Sequence, residues 1–142
     1  MVAPEHLVPK AKFPVVDIHG HAARMIQSAS GLADLVASLD ALNVGLFISA
    51  DNLSGAELRR ALDAVRVSPN RDRVRILTGV DFQNVGPGWA ARAVAQLEAD
   101  IAAGAVGVGE IPKSLGLVLR KADGSRLKVD DPALDPIWDA CA

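Results

Sequence analysis

Two histidines separated by one glycine, in Val16-Asp17-Ile18-His19-Gly20-His21, are the residues of this chain best suited to chemistry by type and spacing. On a β-strand alternate side chains share a face, so Asp17, His19 and His21 project together. Two imidazoles on one face can hold a divalent ion at about 2.0–2.1 Å from each ligating nitrogen. Gly20 leaves space on the opposite face. The run ahead of the pair, residues 13–18, is apolar and carries Val and Ile, which suits a strand. The histidines therefore fall at a strand's C-terminal end, where parallel α/β folds place their active sites. The competing reading is a pair of polar histidines satisfied locally at a strand end, since an isolated H-x-H arises often by chance. Agreement of ligand type, spacing and position favours the metal.

The rest of the chain alternates short apolar runs with amphipathic stretches. Residues 31–43 set Leu32, Leu35, Val36, Leu39 and Leu42 on one helical stripe, with Asn43 where a helix stops. Residues 44–49 form a second short apolar run. Ser54 and Glu57 have capping-box spacing and open a helix with Leu58, Ala61, Leu62 and Val65 on one face, ended by Ser68-Pro69-Asn70. Residues 74–82 predict a third strand behind Arg71, Arg73 and Arg75, a solvated edge. Gly86-Pro87-Gly88 then leads into a helix whose face is Trp89, Ala93, Val94, Leu97 and Ile101, with Gly104 as its left-handed end. Residues 105–111 predict a fourth strand.

The stretch 112–130 is irregular, with Asp123-Gly124 as the turn of a small hairpin. Asp131-Pro132 and Asp135-Pro136 each look like a cap followed by proline at the first helical position. Leu134, Ile137, Trp138 and Cys141 continue at helical spacing. Strict alternation implies parallel strands joined by right-handed crossovers, an α/β fold. Four such units are half of a (β/α)8 TIM barrel, which takes roughly 250 residues. The expectation is a lead-in over residues 1–12, then the N-terminal half of a barrel domain over residues 13–142. A complete small open α/β domain is the alternative.

Composition narrows the partners. With 142 residues, half of them hydrophobic, the chain can bury a real core. A net charge of −2 and no basic run interleaved with aromatics argue against nucleic acid. No apolar run approaches the roughly 20 residues that cross a bilayer, and residues 1–12 lack the apolar centre of a signal peptide. The single cysteine, Cys141, cannot form an internal disulfide, which suits a reducing compartment and a cytoplasmic location. An upstream leader removed earlier would leave no trace in this sequence. No Walker loop, G-x-G-x-x-G or G-x-S-x-G is present, and Cys141 has no histidine near it in sequence.

Phe13-Pro14-Val15-Val16-Asp17-Ile18-His19-Gly20-His21 resembles the first-strand signature of the amidohydrolase superfamily. More narrowly it resembles the amidohydrolase-related group that includes decarboxylases such as aminocarboxymuconate-semialdehyde decarboxylase. Softer likeness extends through Gly104-Ala105-Val106-Gly107-Val108-Gly109-Glu110, Lys113 to Leu117, and Asp131 to Trp138, so that it covers nearly the whole chain from Phe13. The resemblance implies a (β/α)8 barrel and places metal-ligand roles on His19 and His21. Many members add a carboxylated lysine or a glutamate at the end of the fourth strand, and the strand order puts Glu110 there. Zinc, then manganese, is the implied ion. The otherwise bland role of Glu110 is a loop charge paired with Lys113.

The implied activity is a metal-dependent hydrolase that attacks C–N or C–O bonds of a small organic substrate with metal-activated water. Non-oxidative decarboxylation by the same metal geometry is the alternative within the group. A non-catalytic domain with structural histidines is the alternative outside it. The family's later histidines, its aspartate and the general base belong to strands beyond this stretch, so no catalytic residue is assigned. Alone, these residues are expected to be inactive and, with open strand edges, prone to self-association. Asp51, Asn52 and residues 81–84 fall at the expected rim, where loop and cap polarity is their ordinary role. Lys113 and Arg120 are candidates for holding a substrate carboxylate, with solvated surface as the default. His6 reads as solvated.

Overall fold

A computed structural model describes residues 7–142, so that His6 lies outside the described residues. Three strands, β1 (Val15–Gly20), β2 (Val44–Leu53) and β3 (Val74–Thr78), form one parallel sheet in the order β1-β2-β3. Between β1 and β2 lie α1 (Ala23–Ile26) and α2 (Ala29–Leu42), and α3 (Gly55–Val67) joins β2 to β3. After β3 come α4 (Trp89–Ala103) and, past the excursion, α5 (Asp135–Cys141). The alternating α/β architecture read from periodicity is present. No helix among the described residues is long and apolar enough to cross a membrane.

The expected fourth strand is reduced to a single parallel bridge, Thr78 with Val108. Three backbone bonds hold the segment beside β3: Val106 N–H to Ile76 at 3.0 Å, Thr78 N–H to Gly107 at 2.8 Å and Gly109 N–H to Thr78 at 2.8 Å. Two glycines in five residues weaken a strand, and Pro112 has no N–H with which to extend it. β3 also stops early, at Thr78 rather than residue 82. There Gly79 passes so close to β2 that a Cβ would sit 2.5 Å from the Asn52 carbonyl oxygen. The chain then leaves the sheet and buries Phe82 and Val85 elsewhere.

Two apolar clusters result. One fills the space between the sheet and α1 to α3, with Ile26, Leu32, Leu39, Phe47, Leu58 and Ile76 at its centre. The other gathers Phe82, Val85 and Trp89 with Leu115, Leu127, Leu134 and Ile137. The irregular stretch is therefore a packed part of the fold. Its tip is the expected turn, with an Arg120–Arg126 antiparallel bridge and Gly124 at φ 82°.

Several helix ends differ from the sequence reading. Helix α2 begins earlier than residue 31, because Ser28 accepts the Gly31 N–H at 3.1 Å. Asp131 does cap the turn Pro132–Leu134, accepting from Ala133 N–H at 3.0 Å. Asp135 is the first residue of α5 and caps nothing. Ser54 makes no side-chain capping bond. Its place is taken by Asp100 of α4, whose two oxygens accept the Gly55 N–H at 3.0 and 3.2 Å. An ionised carboxylate at a helix N-terminus out-competes a neutral hydroxyl, through both charge and hydrogen-bond strength.

Gly20 also has a different reason from the one read in sequence. The space opposite its histidine neighbours is filled by the Phe47 ring, which a Cβ on Gly20 would strike. Gly20→Ala is expected to displace a buried ring at the cost typical of overpacking, about 1–3 kcal/mol. Urea unfolding checks this through a lowered midpoint at unchanged slope.

Candidate metal centre

The site is built from two elements distant in sequence. His19 is in β1 and His21 follows the strand's end. Glu110 follows the segment bridged to β3. One ligand atom from each of His19, His21 and Glu110 lies within 4.8 Å of the others. His21 Nε2 is 3.5 Å from Glu110 Oε2, and His19 Nε2 is 4.0 Å from the same oxygen. The two rings meet edge to face, with centroids 5.3 Å apart. Both histidine side chains are about half exposed, at 52% and 51%, and Glu110 is 22% exposed.

The donor set and spacing fit a divalent ion. Two imidazoles and a carboxylate with an open fourth position form one of the ligand sets of catalytic zinc sites. Tetrahedral bonds of about 2.0–2.1 Å separate ligand atoms by about 3.3 Å. The His21–Glu110 pair is close to that edge length, and the His19–Glu110 pair needs only a small rotation to reach it.

The two carboxylate oxygens of Glu110 face different neighbours. Oε2 faces the histidines, and Oε1 lies 3.4 Å from Lys113 Nζ. Lys113 is otherwise solvated, at 92% side-chain exposure. Asp17 turns back on its own strand and accepts the His19 N–H at 3.1 Å, so it is not one of the cluster's three members. Arg120 reaches the Gly124 carbonyl at 3.4 Å within the hairpin and takes no part in the cluster.

Asp51 matters more than its rim position suggested. It lies inside β2, which runs on to Leu53. Its Oδ2 accepts the Ala22 and Ala23 N–H groups, both at 2.9 Å, and the Ser49 hydroxyl. Its Oδ1 is 3.6 Å from His21 Nδ1. The signal was available in the sequence, since Ser49 and Asp51 are polar residues alternating at the C-terminal end of an apolar strand, as His19 and His21 are. Asn52 takes a left-handed backbone, φ 55°. Asp81 closes a turn onto the Gln83 N–H at 2.9 Å, and its carbonyl accepts from Trp89 Nε1 at 2.9 Å. Asp81, Gln83 and Asn84 line a cleft of about 400 Å³ with Arg92 and Gln96, and none of the three cluster residues borders it. Cys141 is a free, exposed thiol.

Fold and site together describe an α/β protein with a His-His-Glu cluster at the C-terminal ends of parallel strands. The chain matches no protein-family model, no curated protein and no solved structure.

Proposed function

We propose that His19, His21 and Glu110 form one side of a divalent-metal centre in a metal-dependent hydrolase of the amidohydrolase-related type, with zinc as the ion. The observation that carries the reading is the convergence of three ligand atoms within 4.8 Å from opposite edges of the sheet. β1 and the segment carrying Glu110 are three strand positions apart. In a flat sheet those positions would be separated by about 14 Å, at roughly 4.8 Å per strand. Their meeting supports strong curling of the sheet, as in a (β/α)8 barrel. Val16 and Ile18 of β1, 54% and 70% exposed, support the same reading, because apolar residues on a barrel's first strand are covered by the units that close it.

When bound, the ion supplies Lewis acidity, which polarises a substrate carbonyl and makes water a nucleophile near neutral pH. His19 and His21 orient the site, and Glu110 brings the negative charge that balances part of the ion's. Lys113, beside Glu110, leaves a cationic group at the rim for a substrate carboxylate. Hydrolysis is the reaction assigned, on small organic substrates with a C–N or C–O bond to cleave.

The test uses the protein at its full natural length and a panel of small amides, lactones and esters. Hydrolysis that is lost on chelation and restored by zinc is expected. Turnover insensitive to chelators, or carbon dioxide release with no hydrolysis, would contradict the assignment.

A further inference from the structure

We infer that a groove edged by Arg66, Arg71 and Arg75, at the end of the sheet opposite the His-His-Glu cluster, binds a small monocarboxylate with an apolar body, about the size of benzoate. The groove has a volume of about 270 Å³ and lies between α3, the start of β3 and the end of α4. Its apolar floor is Leu62, Val65, Val74 and Ile76, of which the last three are buried. Val74 is the first residue of β3, whereas the cluster sits past the far ends of the strands.

Arg71, Arg73 and Arg75 read in sequence as one solvated edge, but the fold divides them. Arg73 is bound throughout: Nε donates to the Gly45 carbonyl at 2.8 Å, and Nη2 to Asp40 and to the Val44 carbonyl, both at 2.7 Å. It does not line the groove. Arg75 is anchored through Nη1 alone, which donates to the Val74 and Arg71 carbonyls at 2.9 and 3.1 Å. Its Nε and Nη2 have no acceptor among the described residues. Arginine ion pairs among those residues belong to Arg60, Arg66 and Arg73, so Arg71 and Arg75 have none. A guanidinium stays charged and presents a planar fork matched to a carboxylate.

Charge and size narrow the ligand. Arg66 is neutralised by Asp63 at 2.7 Å and ties α3 to the end of α4 through the Ala103 carbonyl at 3.3 Å. Arg71 and Arg75 then bring two positive charges to the groove against the one negative charge of Asp72, which leaves one positive charge on a chain of net charge −2. A single carboxylate balances that charge, and a hydrocarbon body covers the apolar floor. The volume falls just under the roughly 300–1,000 Å³ of pockets that take drug-sized ligands, which suits one ring or a short chain. The competing explanation is that water alone fills the groove and solvates the arginines. That explanation gives no saturable binding that needs both the charged head and the apolar body.

The experiment is a nitrogen-15 NMR titration of the protein at its full natural length, with a chelator present so that no carboxylate is held by metal. Benzoate is expected to shift the amides of Leu62, Arg71, Val74 and Gly104 saturably. Acetate, which lacks the body, and benzyl alcohol, which lacks the charge, are each expected to bind about 10-fold more weakly or worse. Arg71→Gln is expected to weaken benzoate binding about 10-fold, the factor for losing a charged hydrogen bond. Its thermal midpoint should hold, because Arg71 has no side-chain partner to lose. Arg75→Gln is expected to act in the same direction. No saturable shift at those amides overturns the inference, as does equal binding of acetate or benzyl alcohol, or benzoate affinity unchanged in Arg71→Gln. Tighter binding of inorganic phosphate than of benzoate marks a plain anion site and overturns the carboxylate assignment. Because the groove shares no residue with the His-His-Glu cluster, failure of the metal reading leaves this result standing, and the reverse holds too.

Discussion

The double variant His19→Ala, His21→Ala is expected to lose zinc uptake while keeping its fold. Each substitution removes a proposed nitrogen ligand for which no other described side chain substitutes, since the cluster contains only one further member, Glu110. The loss in affinity should exceed the roughly 10–100-fold that follows removal of an outer-shell partner. Glu110→Gln should weaken binding less, because an amide oxygen can still ligate but brings no charge. Both histidines are half exposed, so truncation leaves no buried cavity. Surface changes of that kind usually stay within about 0.5 kcal/mol of wild-type stability. Zinc at about 100 times its Kd should stabilise the wild type by about 2.7 kcal/mol and the double variant not at all. Metal content after dialysis and thermal unfolding with and without zinc check both parts. Equal zinc stoichiometry in the two proteins would refute the assignment.

Asp100→Ala is expected to be among the most destabilising single changes in the chain. Asp100 has no solvent exposure and joins three elements. Its oxygens accept from Gly55 N–H at the start of α3, from the Thr78 hydroxyl at 2.7 Å at the end of β3, and from Gln96 Nε2 at 2.8 Å on α4. Alanine would leave the Gly55 N–H and the Thr78 hydroxyl without their charged acceptor. Thr78 retains only the longer options of the Leu53 carbonyl at 3.2 Å and the Gly79 carbonyl at 3.4 Å. Losing charge-assisted hydrogen bonds and stranding a buried donor together cost about 2–4 kcal/mol. Asp100→Asn keeps one acceptor oxygen and should cost less. Chemical denaturation of the three proteins gives the order, and equal midpoints for wild type and Asp100→Ala would remove Asp100 from its place as the clamp between α3, β3 and α4.

How far the sequence carried this picture depends on the range of the interactions involved. Helices α2 and α4 were legible because Leu32, Leu35, Val36 and Leu39, or Trp89 and Leu97, repeat at a period that is purely local. The hairpin at Asp123-Gly124 was legible for the same reason. The fourth strand was not, because the apolar content of residues 105–111 says nothing of what two glycines and a following proline do to a ladder. The missing Ser54 cap is not legible, because its replacement, Asp100, lies 45 residues beyond Gly55 and reaches it only through the packing of α4 on α3.

The site divides in the same way. His19 and His21 are neighbours in sequence and could be read from strand period alone. Glu110 is singled out by the family resemblance together with the strand order, and the geometry puts it beside them. The apolar run that marks β2 in sequence stops at residue 49, which puts Asp51 in a loop, whereas the strand continues to Leu53. That error of a few residues hid the alternation of Ser49 and Asp51, and with it the carboxylate facing His21.

The most direct test of the metal centre is anomalous diffraction at the zinc edge from crystals of the zinc-loaded protein. The proposed metal centre requires a peak bounded by His19 Nε2, His21 Nε2 and a Glu110 carboxylate oxygen, each at about 2.0–2.2 Å. No peak among those three residues, or ordered zinc only elsewhere on the chain, would contradict it.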